Sequence, residues 1–311
     1  MRCAVKRLRY TNILGRKLRE IPETGIGGES YGAAVLRRFR RHKLALAGTA
    51  VVAVILLLAL LVPMLSPYSP DAASDAFNQP PSAAHWLGTD AVGRDVLTRL
   101  FSAVRISLLV GVMATLISTA AGVILGLVSG FFGGWVDMAV MRAADMIMSF
   151  PYILLVLVAA AVFEPGLWNM ILILGFVDWP GIARLVRGNV LALRETNFVR
   201  AASLKGMPKR YILFREILPN TAAPVLIYMT SVLALSILDE AALSFIGMGV
   251  QPPTASLGNM LYNAQNLTVL TSRPWLWIPP GALIILLVVA VNFIGDALRD
   301  AMDPTAGIPR N

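Results

Sequence analysis

Across its 311 residues the chain is 57% hydrophobic and only 14% charged, with a mean hydropathy of +0.69. Soluble domains carry about 25% charged residues, so a soluble globular protein is excluded and a polytopic membrane protein is expected. The formal charge of +9 does not point to nucleic acid, because much of it lies in residues 1–43, while a lone Cys3 and two histidines, His42 and His85, leave no disulfide and no metal or catalytic set.

Residues 1–43 are expected to form a basic cytoplasmic tail against the anionic inner leaflet, where each exposed cation contributes about 1 kcal/mol. The tail and the apolar run after it are both too long for a cleaved secretory signal. That run, 44–65, is long enough to span, since roughly 20 helical residues cross the hydrocarbon core, and it is expected to end at Pro63. Residues 67–93 are polar and rich in proline and serine. From Arg94, the apolar residues Leu97, Leu100, Phe101, Val104 and Leu108 fall at helical spacing, which predicts an interfacial helix leading into a second span over 106–130. The external loop is therefore drawn as 67–105. Within the second span Ala114, Ser118, Gly122, Gly126 and Gly130 recur every four residues, a small-residue stripe that lets helix backbones approach closely. It is read as packing within the subunit.

A Gly133–Gly134 turn leads to a third span, 136–163, kinked at Pro151. Arg142 and Asp145, three apart on one face, are expected to pair with each other. A short turn at 164–169 precedes a fourth span, 170–191, with Asp178 near its middle beside Trp179 and Pro180. An ionisable group inside the membrane is a functional candidate by default. The stretch 198–220 then interrupts the apolar pattern with Arg200, Lys205, Lys209, Arg210 and Arg215 against Glu216. Its bias places it in the cytoplasm as a loop over 194–220. Its apolar residues predict two short helices around a Gly-Met-Pro break at 206–208, the second ended by Pro219. A fifth span over 222–246 carries Asp239 and Glu240 toward its outer end. An external loop follows at 247–277, then a sixth span at 278–298 that opens on Pro279 and Pro280, and a short cytoplasmic tail at 305–311. The fold class is all-α, with six transmembrane helices and both termini inside.

No phosphate-cradling loop and no HExxH motif occurs, so ATP hydrolysis is not expected of this chain. Acidic residues in the spans keep a proton-coupled carrier using Asp145, Asp178 and Asp239 open as a rival, although no internal repeat is evident. A membrane-embedded scaffold without transport is a third reading.

The segment RAASLKG at 200–206, followed by LPN at 218–220, resembles the EAA loop of ABC importer permeases. HWLGTDAVGRDV at 85–96, WPGIARLVRG at 179–188, AALSFIGMGVQPP at 241–253 and NFIGDALRDAMDP at 292–304 resemble the second permease subunit of dipeptide/oligopeptide/nickel importers. The likeness covers about residues 35–304, and Arg200 departs from it by standing where the family has glutamate.

The resemblance implies the type I ABC importer (MetI-like) permease fold, and an ATPase-coupling loop carried by Arg200, Ala201, Ala202, Gly206, Leu218 and Pro219. It implies a homologous second permease subunit, two cytoplasmic ATPases that hold ATP and Mg, an extracytoplasmic substrate-binding protein, and the bacterial plasma (inner) membrane as location. No cofactor is expected on this chain itself. A peptide or dipeptide cargo is implied, with nickel or glutathione as alternatives. Because a peptide amino terminus is cationic, Asp178, Asp239 and Glu240 are the candidates for the translocation path or gate.

Overall fold

The computed structural model describes residues 31–302; most of the basic tail, with Cys3, and the tail at 305–311 lie outside that range. Among the described residues all regular structure is helical. A short helix α1 (Tyr31–Arg41) precedes α2 (Lys43–Leu65), and after a folded loop come α3 (Val96–Phe132), α4 (Gly134–Met148), α5 (Tyr152–Val162), α6 (Leu167–Val177) and α7 (Trp179–Arg194). Then follow α8 (Asn197–Leu204), α9 (Lys209–Tyr211), a π-helical turn (Ile212–Ile217), α10 (Leu218–Ile246), α11 (Leu257–Tyr262), α12 (Leu267–Ser272) and α13 (Ile278–Met302). Five helical segments are long and apolar enough to cross a membrane, and the α4–α5 pair makes a sixth if its two halves are one span.

Several boundaries differ from the sequence reading, each for a local reason. Helix α2 runs through Pro63 to Leu65, because a proline this near the end removes one backbone bond and the Ser66 amide still closes on the Val62 carbonyl at 2.9 Å. The expected interfacial helix and second span are one 37-residue helix, about 55 Å long at 1.5 Å per residue and so longer than the hydrocarbon core. It starts at Val96, where Asp95 Oδ2 accepts from the Thr98 amide at 2.8 Å and from its hydroxyl at 2.7 Å. Within the stretch drawn as the loop 67–105, helix is present from Val96 onward. At Pro151 the chain does more than kink, for α4 and α5 meet at 90° across Ser149–Pro151. Pro219 does not end a helix either. Residues Lys209–Ile246 run as one continuous helical segment, and the π-turn just before Pro219 widens the backbone where the proline enters it.

Packing centres on α3, which lies against α2, α6, α7 and α10. A Cβ built on Gly122 would lie 2.5 Å from Ile182 Cβ, one on Gly126 would lie 2.5 Å from the Ala183 carbonyl, and one on Gly130 would lie 2.8 Å from Val190 Cβ. The small-residue stripe is thus the seam with α7 inside one chain. Gly175 on α6 continues it against Ile117.

Candidate functional site

Two breaks in the helices face one cavity. The 90° corner between α4 and α5 leaves Phe150 and Tyr152 at its wall, and the α6–α7 joint leaves Asp178 there, since Pro180 in the first turn of α7 lets a new helix begin beside it. Helix α10 closes the third side with Tyr228, Val232 and Leu235. The cavity measures about 370 Å³ and is otherwise apolar, lined by Ile147, Met148, Leu155 and Val177. Tyr228 packs over Gly181, where a Cβ would sit 2.3 Å from the phenol oxygen. The Tyr152 hydroxyl donates to Asp239 Oδ2 at 2.8 Å, tying α5 to α10 directly behind the cavity wall. No lysine or arginine lines the space. It thus combines a carboxylate with a largely apolar lining.

Glu240, the third path candidate, is not brought to this cavity. It is fully buried, Ser107 Oγ donates to it at 2.6 Å and Ser244 Oγ at 2.8 Å, and Ser107 Oγ in turn accepts from the Leu257 amide at 3.0 Å. One residue along a helix turns the side chain by about 100°, so Asp239 and its neighbour serve different surfaces. Glu240 ties α3, α10 and α11 together.

The pairing of Arg142 with Asp145 is also corrected. Asp145 accepts from Arg184 Nη2 on α7 at 2.6 Å, while Arg142 is exposed and has no ion-pair partner among the described residues. A half-exposed carboxylate takes whichever cation the packing presents, and α7 presents Arg184. Beside it Arg187 holds Asp137 through Nε at 2.5 Å and Nη2 at 2.6 Å, with Ser129 Oγ donating to the same carboxylate at 2.5 Å. These bonds clamp α4 to α7 and α3.

The basic stretch forms a hook at the base of α3 and α7. Val199, Ile212, Leu213 and Ile217 pack against Leu127, Val186 and Val190, with Ala202 and Leu218 at the edge. Helix α8 ends in a Schellman arrangement, in which the Gly206 amide reaches the Ser203 carbonyl at 3.0 Å and the Met207 amide reaches Ala202 at 3.2 Å. Gly206 has φ +72°, a left-handed conformation that side chains with a Cβ adopt at a cost, yet nothing lies within 4 Å of a Cβ built there. Its constraint is backbone conformation rather than space. Arg200 pairs with Glu195 at the start of the same hook, and both are exposed. Ala201 and Pro219 are exposed as well. Leu204 is 89% exposed and Phe214 60%, so the hook offers apolar knobs among its cations.

The sequence reading missed Tyr152, Tyr228, Asp137, Arg184 and Arg187 as site or clamp residues. A tyrosine beside a proline inside an apolar run was the available signal for Tyr152; the others depend on which helices become neighbours.

A multi-helix membrane chain with broken spans around an acidic cavity, and a structured basic hook beyond its spans, is a transport permease by class. The chain matches the family described as binding-protein-dependent transport system inner membrane component over residues 122–307, and the N-terminal TM domain of oligopeptide transport permease C over 30–81. It belongs to the family of binding-protein-dependent transport system inner membrane components. A putative peptide permease protein of Brucella suis biovar 1 (strain 1330) is 40% identical over 297 residues, covering 95% of this chain and 98% of its own. A dipeptide transport system permease protein of Bacillus subtilis (strain 168) is 40% identical over 276 residues, covering 88% and 86%. A glutathione transport system permease protein of Pectobacterium atrosepticum is 38% identical over 272 residues, covering 86% and 89%.

Proposed function

We propose that this chain is the transmembrane subunit of an ABC importer that carries peptides across the bacterial plasma membrane. The observation that carries the reading is the near full-length similarity to relatives named as peptide, dipeptide and oligopeptide permeases. The relative named for glutathione transport fits the same chemistry, because glutathione is itself a tripeptide.

In this reading a homologous second permease completes the pathway, two cytoplasmic ATPases bind ATP and Mg, and an extracytoplasmic binding protein delivers cargo. The α8 hook, through Arg200, Ala201, Ala202, Gly206, Leu218 and Pro219, meets one ATPase, and closure of the ATPases on ATP moves it. The seam between α3 and α7 passes that motion on as a rigid body, a rotation of the kind transporters use to alternate access. Asp178, with Asp239 behind Tyr152, offers negative charge to the peptide's α-ammonium, while the apolar lining tolerates varied side chains. With α4 and α5 counted as one span, both termini face the cytoplasm, and the basic residues of the hook lie on that side too.

The test is reconstitution of the four-subunit complex in proteoliposomes with its binding protein. Vanadate-sensitive uptake of a labelled dipeptide is expected. Uptake that persists in vanadate and follows an imposed proton gradient would overturn the reading in favour of a secondary carrier.

A further inference from the structure

The charged crevice beside the acidic cavity holds one cation that the chain's own packing does not use. Helices α4 and α7 enclose a space of about 520 Å³ lined by Asp137, Arg142, Asp145, Arg184 and Arg187, with two methionines as its apolar part. Arg184 is held by Asp145 and Arg187 by Asp137, so four of these five charges cancel in pairs. Arg142 is the remainder. It lines the crevice, is exposed, and has no ion-pair partner among the described residues.

Crevice and cavity are two stretches of one groove. On α4, Arg142, Asp145 and Met148 follow at intervals of three and so share a face, the first two lining the crevice and Met148 the cavity. On α7, Gly181 lines the cavity, and Arg184 and Arg187 carry the same face on into the crevice. The groove therefore has an acidic end at Asp178 and an end with one surplus cation at Arg142. Six residues separate Met148 from Arg142 on α4, and Asp178 from Arg184 on α7, which is about 9 Å of helix rise along either wall. Extended peptide covers roughly 3.5 Å per residue, so that distance is the length of two or three residues.

Both walls belong to segments long and apolar enough to cross a membrane, α7 with α6 and α4 with α5. Exposed ionised groups on such segments are costly against hydrocarbon, so this face opens on water or protein rather than on lipid.

We propose that Arg142 receives the C-terminal carboxylate of the peptide whose α-ammonium rests by Asp178, so that the groove selects short zwitterionic peptides. A guanidinium offers a carboxylate two parallel donors, which a lysine does not reproduce. Arg184 and Arg187 cannot serve in its place without leaving Asp145 or Asp137 unpaired. The inference rests on the peptide reading above and adds to it the group that holds the cargo's other end.

The test uses the complete importer with its binding protein in proteoliposomes, supplied with labelled dialanine or with dialanine amide, which lacks the carboxylate. Any preference of the binding protein is common to wild type and variant, so it drops out when their acid-to-amide uptake ratios are compared. In R142Q that ratio is expected to fall about tenfold, the worth of one hydrogen bond to a charged group. Free-acid uptake should fall with it, and R142K should recover part of the loss. The variant complex should still elute with the second permease and both ATPases.

An unchanged ratio, or free-acid uptake by R142Q at the wild-type rate, would overturn the proposal and leave the peptide reading standing. Wild-type complex that takes up neither compound would overturn both. An R142Q chain that no longer co-purifies with the second permease would assign the cation to a subunit contact, and would also overturn the proposal.

Discussion

Helix α7 takes part in two interfaces built on opposite terms. Toward α3 it meets Gly122, Gly126 and Gly130, with no room for even one added carbon. At its N-terminal end it meets the α4–α5 corner and α10 around a cavity of about 370 Å³ that holds a carboxylate. The first interface resists deformation, since close-packed interiors respond to one methylene. The second keeps backbone breaks and polar groups that a stable core would exclude. The tight seam and the cavity lie at different places along one helix, an arrangement that would let a permease move as a body around a softer region.

The sharpest way to break that contrast is Gly126→Val. The new side chain would meet the Ala183 carbonyl at 2.5 Å and Val186 Cβ at 2.8 Å, and both are held by α7. Overpacking costs about 1–3 kcal/mol, more where backbone must shift, so loss of monodisperse protein on gel filtration is expected. A well-behaved, fully active variant would show that the seam is not rigid.

Asp178→Asn addresses the other interface. The variant is expected to assemble normally and to lose about tenfold or more in peptide uptake, the worth of a hydrogen bond to a charged group. Unchanged transport kinetics would remove the cavity from the pathway.

Gly206→Val carries the contrast to the hook. Its φ of +72° is strained for a β-branched residue by about 1–3 kcal/mol. Global stability should hold while ATPase activity ceases to respond to substrate. Gly206→Asn, which tolerates the left-handed region, should stay close to wild type. If asparagine and valine behave alike, space or contact rather than backbone conformation governs the position.

Arg142→Gln should have the smallest effect of all on stability. The side chain is exposed and has no ion-pair partner among the described residues, so thermal stability should not move measurably. Arg184→Gln breaks a pair whose members are each nearly half exposed, and a loss of about 0–1 kcal/mol is expected. A large loss from Arg142→Gln with none from Arg184→Gln would restore the pairing along α4.

Much of this was legible in the chain of residues. Apolar runs of spanning length declared the helices, because hydrocarbon leaves the backbone no other partner than itself. The four-residue recurrence of small residues announced a close helix contact, and the packing supplied only the identity of the neighbour. Gly206 followed by Met207 and Pro208 read as a break, and it is a helix cap. Asp178 beside Pro180 read as an irregularity inside a span, and it is the joint between α6 and α7. Pro151 read as a kink and is a right-angle corner, since a proline removes a constraint without dictating how far the chain then turns.

Tertiary structure decided everything that depends on which faces meet. Asp239 and Glu240 are adjacent letters, yet one bonds Tyr152 behind a cavity and the other disappears among Ser107 and Ser244. Asp145 had a cation three residues away and took Arg184, thirty-nine residues on. Length, hydropathy and helical period are properties a sequence carries by itself, because they follow from backbone geometry and solvent. Partners of buried polar groups are set by the packing of helices far apart in the chain, where a rotation of about 100° per residue sends one of two neighbouring carboxylates to Tyr152 and the other to Ser107 and Ser244.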